Sequence, residues 1–329
     1  MNSRHHWFSF FTLFSFLFAT LAAIPSTLAA PQSPQTPAAA TSNLQALAER
    51  GDSGAQFRLA KFLLAHSPSP DDVQTALKWL HASVAQNNPD AAFYLGYFYE
   101  HGKFVPQDYK LAFQNYEIAA RVHYPSAENN LASLYQHGQG VPENIGKAYE
   151  WYLAAAQHGD PVGQINLATF YYLGIATPRD YKEAVRWLRL SADSRLPEAE
   201  NSLAYFYFYG IAVPRDYTEA ARLVRLAAQT GFPGAETNLG YLYEFGKGVP
   251  LDYVASYSWY SRAIAAGDSA GTGQRKQLAR IMTRKQLDEA NALVTTASST
   301  PTPPVPAPPP MLQPAIPAIN GFSLLNTQH

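Results

Sequence analysis

Cysteine is absent from the 329 residues. That excludes disulfides, thiolate metal sites and a cysteine nucleophile, whichever compartment holds the chain. Charge is also scarce: Asp, Glu, Lys and Arg make up 15% of the chain, against about 25% in ordinary domains. Neither sign is in excess, with 24 Lys and Arg facing 25 Asp and Glu, so no field marks the chain for nucleic acid or an anionic membrane. The patterns HExxH and GxSxG are missing, and no pair of carboxylates falls in a convincing cleft. The Gly-Lys pairs at Gly102-Lys103 and Gly246-Lys247 follow their preceding glycines one residue too late for a P-loop and close a helix instead of following a strand. The sequence therefore gives no catalytic residue, no cofactor and no metal site. What is abundant is aromatic: 13% of the residues, with 21 tyrosines, the profile of a folded, tyrosine-rich body.

The two ends differ from the middle. Arg4, His5 and His6 precede an uncharged apolar run from Trp7 to Ile24, which is followed by Pro25 and small residues through Ala30. This is the order of a secretory signal, with Thr27 and Ala29 at the small-residue positions. The expectation is a signal peptide over 1–29 and a flexible linker over 30–41, placing the mature chain in the periplasm or outside the cell with no stable membrane insertion. At the other end, nine prolines between Ser298 and Pro317 predict an extended, Pro-rich tail over 296–329.

Between the ends the chain repeats itself at an offset of 36. Pro89, Pro125, Pro161, Pro197 and Pro233 stand in register, as do Leu95, Leu131, Leu167, Leu203 and Leu239. Tyr99 and Gly102 recur in the same way. Six copies run over 52–267 without insertion or deletion. Within a copy, Ala91, Leu95 and Tyr99 form the apolar stripe of one helix, here helix A, with Pro89 in its first turn and Gly102 past its end. Asp108 (Asn144, Asp180, Asp216 and Asp252 in later copies) then N-caps helix B. Asp180 with Glu183, and Asp216 with Glu219, have capping-box spacing. Neither helix of such a hairpin buries its own stripe, so the copies must stack. The fold expected is all-α, a right-handed superhelical solenoid of antiparallel helix pairs over 42–295. Ser42 to Arg50 caps one end. Asp268 to Leu293, a helix pair with Thr283 as N-cap and Gln286 three residues on, caps the other.

The residues Ala127, Leu131, Ala132, Tyr135, Gly138, Gly140, Val141, Pro142, Ala148, Trp151, Tyr152, Ala155 and Ala156 resemble the Sel-one-like repeat, a cousin of the tetratricopeptide repeat. Copies four and five depart by carrying Ala176 and Ala212 for the second loop glycine. The resemblance implies a non-enzymatic scaffold or adaptor that binds a protein or peptide along a concave face of A helices, with work in the bacterial envelope. Two other readings stay open, a module that binds peptidoglycan fragments or regulates a wall enzyme, and a weak hydrolase.

The outer face of helix A, opposite Leu95, is taken as positions 93, 97 and 100 and their 36-residue equivalents. In copies four to six it collects Ile165, Tyr172, Tyr205, Phe208 and Tyr241, candidates for partner contact or for burial between repeats. Asn130, Asn166 and Asn238 form a second ladder, suited to holding a peptide backbone or to bonding between repeats. Arg186, Arg189, Arg222 and Arg225 line up on helix B as a basic strip or an ordinary solvated face. His101 and His137, one copy apart, are too widely spaced to share an ion.

Overall fold

Each copy begins with proline or a small capped turn and ends in a left-handed residue, and the computed structural model turns that punctuation into helices. It describes residues 37–65 and 67–299. The signal peptide, most of the linker and the Pro-rich tail lie outside these residues. The chain divides into two compact units, 1–42 and 43–329. Of the first, only Pro37 to Ser42 is described, as the start of α1 (Pro37–Glu49). That helix opens inside the segment read as linker, because Pro37 suits a first turn and the alanines after it are the best helix formers.

The A helices are α2 (Ser53–Leu63), α4 (Pro89–His101), α6 (Pro125–His137), α8 (Pro161–Leu173), α10 (Pro197–Tyr209) and α12 (Pro233–Phe245). They alternate with the B helices α3 (Pro70–Val84), α5 (Tyr109–Ala120), α7 (Ile145–Gln157), α9 (Tyr181–Asp193), α11 (Tyr217–Gln229) and α13 (Tyr253–Ala265). A closing pair, α14 (Thr272–Ile281) and α15 (Arg284–Ser299), follows. Among the described residues there is no strand, so the second unit is an all-α repeat array.

The turn from A to B is the same in five copies. Gly210, at φ 70°, ends α10 in the left-handed region, and its N–H donates to the Phe206 carbonyl. The Asp216 N–H then donates to the Tyr207 carbonyl at 2.8 Å, as Asp108 does to Tyr99. Asp216 finally caps α11 by accepting from the Thr218 and Glu219 N–H groups at 2.9 and 3.0 Å. The expected capping boxes at α9 and α11 are only half made. Glu183 and Glu219 turn instead to Arg186 and Arg222, at 2.8 and 2.7 Å, because a charged, two-pronged bond outcompetes a neutral backbone donor. At the far end the Thr283 cap is complete: its N–H donates to Gln286 Oε1 at 2.9 Å and its hydroxyl accepts from the Gln286 N–H at 3.3 Å.

Successive A helices touch, α6 with α8 and α10 with α12, while successive B helices make no comparable contact. The stack therefore bends toward its A side. At one end Leu44, Leu47 and Ala48 cover Ala55 and Leu59. At the other, Leu278, Met282 and Ala290 close over Tyr260.

A buried pair ties the two helices of a hairpin. The hydroxyl of Tyr116 on α5 donates to Glu100 Oε2 on α4 at 2.6 Å. Tyr152 repeats this to Gln136 at 2.9 Å, and Tyr260 to Glu244 at 2.9 Å. The close approach explains Gly96 and Gly240, where a Cβ would stand 2.7 and 2.8 Å from the Tyr116 and Tyr260 rings. In copies four and five the tyrosine becomes Leu188 and Val224, and its acceptor becomes Tyr172 and Phe208. Where helix B loses the ring, helix A supplies one.

Candidate binding face

That exchange decides which of the expected face residues reach solvent. Phe208 is only 7% exposed and Ile165 only 2%. Both belong to the core, contrary to their placement on a binding face. Phe208 packs inward in the copy whose helix B lacks the tyrosine, with its ring 5.0 Å from Tyr217 and 6.0 Å from Tyr241. Ile165 lies on the row of Phe93, Asn129, Asn201 and Thr237, all of them buried, which the neighbouring repeat covers.

The asparagine ladder is also interior. Asn130, Asn166 and Asn238 are at most 2% exposed. The Asn166 amide donates to Asn129 Oδ1 at 2.9 Å and the Asn238 amide to Asn201 Oδ1 at 2.8 Å. A buried amide is expected to find its partners inside the protein, and Asn166 and Asn238 find them in the preceding copy, so these two join repeats. Asn130 Oδ1 accepts from Asn129 in its own copy at 3.2 Å, and its Nδ2 is buried without a hydrogen-bond partner among the described residues.

Tyr172, Tyr205 and Tyr241 are half-buried, and the first two come together. The Tyr172 and Tyr205 hydroxyls are 3.4 Å apart, with ring centroids at 6.3 Å. Desolvation, then the neighbouring phenols, push the Tyr205 hydroxyl well above the ordinary tyrosine range, and burial raises Tyr241 too. Both remain protonated donors at neutral pH.

The face holds residues that the sequence reading passed over. Position 101 follows position 97 by four residues, about 400° of helix, so it lies only about 40° away from it. Because the neighbouring repeat covers the 93 side, the open stripe is centred between 97 and 101. It therefore includes Leu173 (46% exposed), Tyr209 and Phe245 (49% exposed). The Tyr209 ring packs against Tyr205 at 4.6 Å and Phe245 against Tyr241 at 4.7 Å, the planes tilted by 52° and 43°. The signal was present as another 36-residue register: His101, His137, Leu173, Tyr209 and Phe245.

Between the first two copies the same face opens into a cavity of about 370 Å³ lined by Phe57, Lys61, Tyr94, Tyr97, Lys103 and Phe104. The Lys61 and Lys103 ammonium groups sit 5.7 and 5.3 Å from the Tyr94 and Phe104 ring centres. The middle of the face is smaller and more polar, with Ser133 and Gln136, while Thr169 is buried and donates to the Ile165 carbonyl at 3.0 Å.

Half of the arginine strip on the B side is neutralised. Arg186 and Arg222 pair with Glu183 and Glu219, while Arg189 donates to the Tyr207 hydroxyl at 3.0 Å and Arg225 to Tyr243 at 3.5 Å.

The sequence pattern of the Sel1 repeat matches six stretches, 53–88, 89–122, 125–160, 161–195, 197–232 and 233–268. Two solved structures are similar. One is a protective antigen of uropathogenic Escherichia coli with an SLR fold, 28% identical over 78% of this chain with a TM-score of 0.68. The other is a Sel1 repeat protein from Oxalobacter formigenes, 25% identical over 76% of this chain and 98% of its own, with a TM-score of 0.62. The chain spans 56% of the E. coli antigen's length. No curated protein sequence matches the chain.

Proposed function

Because the chain belongs to the Sel1 repeat family, whose helical arrays commonly serve protein interaction, we propose that it is a non-enzymatic scaffold that holds a protein or peptide partner along the A-helix face. The observation that carries this reading is the aromatic group Tyr205, Tyr209, Tyr241 and Phe245, packed ring against ring in pairs on the open side of α10 and α12. Aromatic rings offer large contact area with few rotors to freeze and are the commonest anchors of interfaces. The paired ring packing restricts those rotors before a partner arrives, which lowers the entropy lost on binding. The partner's complementary feature is an extended or helical segment with apolar side chains spaced to sit over two successive repeats.

The N-terminal leader pattern supports work in the bacterial envelope, and no described helix is long and apolar enough to cross a membrane. Rings with phenolic donors also suit sugars, so wall fragments are the competing ligand. Two pull-downs distinguish them, one from a random peptide display library and one from soluble peptidoglycan fragments. Peptides enriched on the wild-type chain and lost on a Tyr209→Ala/Phe245→Ala variant support the scaffold. Retention of fragments alone, lost on the same variant, replaces it with wall binding.

A further inference from the structure

A second site lies away from the A-helix face, where copy two meets copy three. Glu128 on α6 is fully buried, yet each of its carboxylate oxygens faces an imidazole. Oε1 is 3.3 Å from His123 Nδ1 and Oε2 is 2.7 Å from His158 Nδ1. The two rings lie 4.6 Å apart between centroids, and one ligand atom from each of the three residues falls within 4.8 Å of the others. We propose that His123, Glu128 and His158 form a binding site for a divalent transition-metal cation of the zinc type, bridging two consecutive repeats.

The repeat itself supplies the comparison. Buried glutamates stand at the same position in copies five and six, and there each meets a guanidinium. Arg195 Nη1 is 3.7 Å from Glu200 and Arg262 Nη2 is 2.7 Å from Glu236. A buried carboxylate needs a positive counterpart. Among the described residues Glu128 has no guanidinium beside it and faces two imidazoles instead, which unlike arginine are metal ligands.

Two imidazoles with one carboxylate is a ligand set that zinc takes, leaving one position for water, and nitrogen donors favour transition metals over magnesium or calcium. Zinc bonds of about 2.0 to 2.1 Å in a tetrahedron place ligand atoms about 3.3 Å apart. His123 Nδ1 stands at that distance from Oε1, while His158 Nδ1, 2.7 Å from the other oxygen, has to draw back for the ion to enter. Both rings have room to do so, with side-chain exposures of 71% and 36%. Their exposure also gives the ion a path from solvent. Binding through Nδ1 requires each ring to carry its proton on Nε2 alone. Asp160, the nearby buried cap of α8, is not a fourth ligand: its oxygens accept from the Gly163 N–H at 2.7 Å and the Ser126 hydroxyl at 2.8 Å.

His123 also occupies a costly place. Its φ is 59°, left-handed, at the turn position where Gly159, Gly231 and Gly267 stand in other copies. Replacing it by glycine removes a ligand while giving the backbone the residue it favours there. That makes His123→Gly a clean test, because loss of metal binding through misfolding is not expected.

The experiment is calorimetric titration of Zn²⁺ into the untagged full chain, into His123→Gly and into Glu128→Gln, with melting curves with and without the metal. All other histidines are retained in both variants. The expected result is one zinc equivalent on the wild type, weakened by at least tenfold in each variant, since losing a ligand costs no less than losing an outer-shell partner. Zinc should raise the wild-type Tm but not that of His123→Gly, whose metal-free Tm should be no lower than wild type. Equal zinc affinity and stoichiometry in wild type and His123→Gly, or no zinc binding by the wild type, would overturn the proposal and leave the two imidazoles as counterparts of a buried acid.

Discussion

Transplanting a tyrosine between repeats tests the exchange that removes Phe208 from the binding face. Phe208→Gln on α10 leaves a void beside Tyr217 and Tyr241 and strands a buried amide. Truncating a buried phenylalanine typically costs 3 to 5 kcal/mol, and glutamine refills part of the volume, so a loss of about 3 kcal/mol is expected. Val224→Tyr alone forces a large ring against Phe208, at a cost of about 1 to 3 kcal/mol for overpacking. Together the two changes rebuild in copy five the pair seen in copy three, where the Tyr152 hydroxyl donates to Gln136 at 2.9 Å. The double variant should therefore be more stable than Phe208→Gln, with a favourable coupling of about 2 kcal/mol or more. Urea denaturation of the wild type, both singles and the double, followed by far-UV circular dichroism, reads this directly. Costs that simply add would show that Phe208 does not stand in for the tyrosine, and its burial would need another reason.

Two further predictions concern the turn and the buried acids. Gly210→Ala should cost about 1 kcal/mol or more, since it puts a side chain into a left-handed residue and sets its Cβ 3.0 Å from that of Arg215. Gly248→Ala should cost more, because its Cβ would run into the Tyr217 carbonyl, and equal denaturation midpoints for the two would contradict the turn geometry. Burial raises the Glu244 carboxyl above its ordinary value of 4.5, only partly opposed by the Tyr260 hydroxyl. The folded state therefore holds its proton more tightly than the unfolded chain, and ionising Glu244 as pH rises from about 4.5 toward neutrality subtracts stability. Glu244→Gln, which copies the natural Gln136, should melt higher than wild type at pH 7, with the gap closing toward pH 4.5. A gap that widens on acidification would refute the sign.

The helix pairs, their capped turns and both closing segments were legible in the sequence because each rests on local chemistry repeated at a fixed offset. Pro, Gly and Asp fall at the same places in copy after copy, and a stripe of Ala and Leu marks the buried side. The binding face was less legible because its edge is set by the next repeat. One helix viewed alone places 93, 97 and 100 opposite Leu95. The adjacent A helix covers the 93 row and turns the open stripe by about 40°, hiding Ile165 and revealing Tyr209 and Phe245. The buried amides illustrate the same limit, since Asn166 finds its partner 37 residues away, across a repeat boundary. His123 and His158 were missed for a sharper reason. They are 35 residues apart, one short of the repeat, so alignment in register pairs His123 with Gly159 and His158 with Val122, and no histidine ladder shows.

A partner held along the open A-helix face by its aromatic pairs has to lie within reach of Tyr209 and Phe245. The most direct test places a photo-reactive amino acid in cells at position 209 or 245, and at the exposed B-side position 190 as a control, with the cross-linked products identified by mass spectrometry. The account predicts one shared protein product from 209 and 245, none of it from 190, and its loss when Tyr205 and Tyr241 are changed to Ala in a chain whose Tm falls by no more than a few degrees. The same product from position 190, or its persistence in the Tyr205→Ala/Tyr241→Ala chain, would contradict the account.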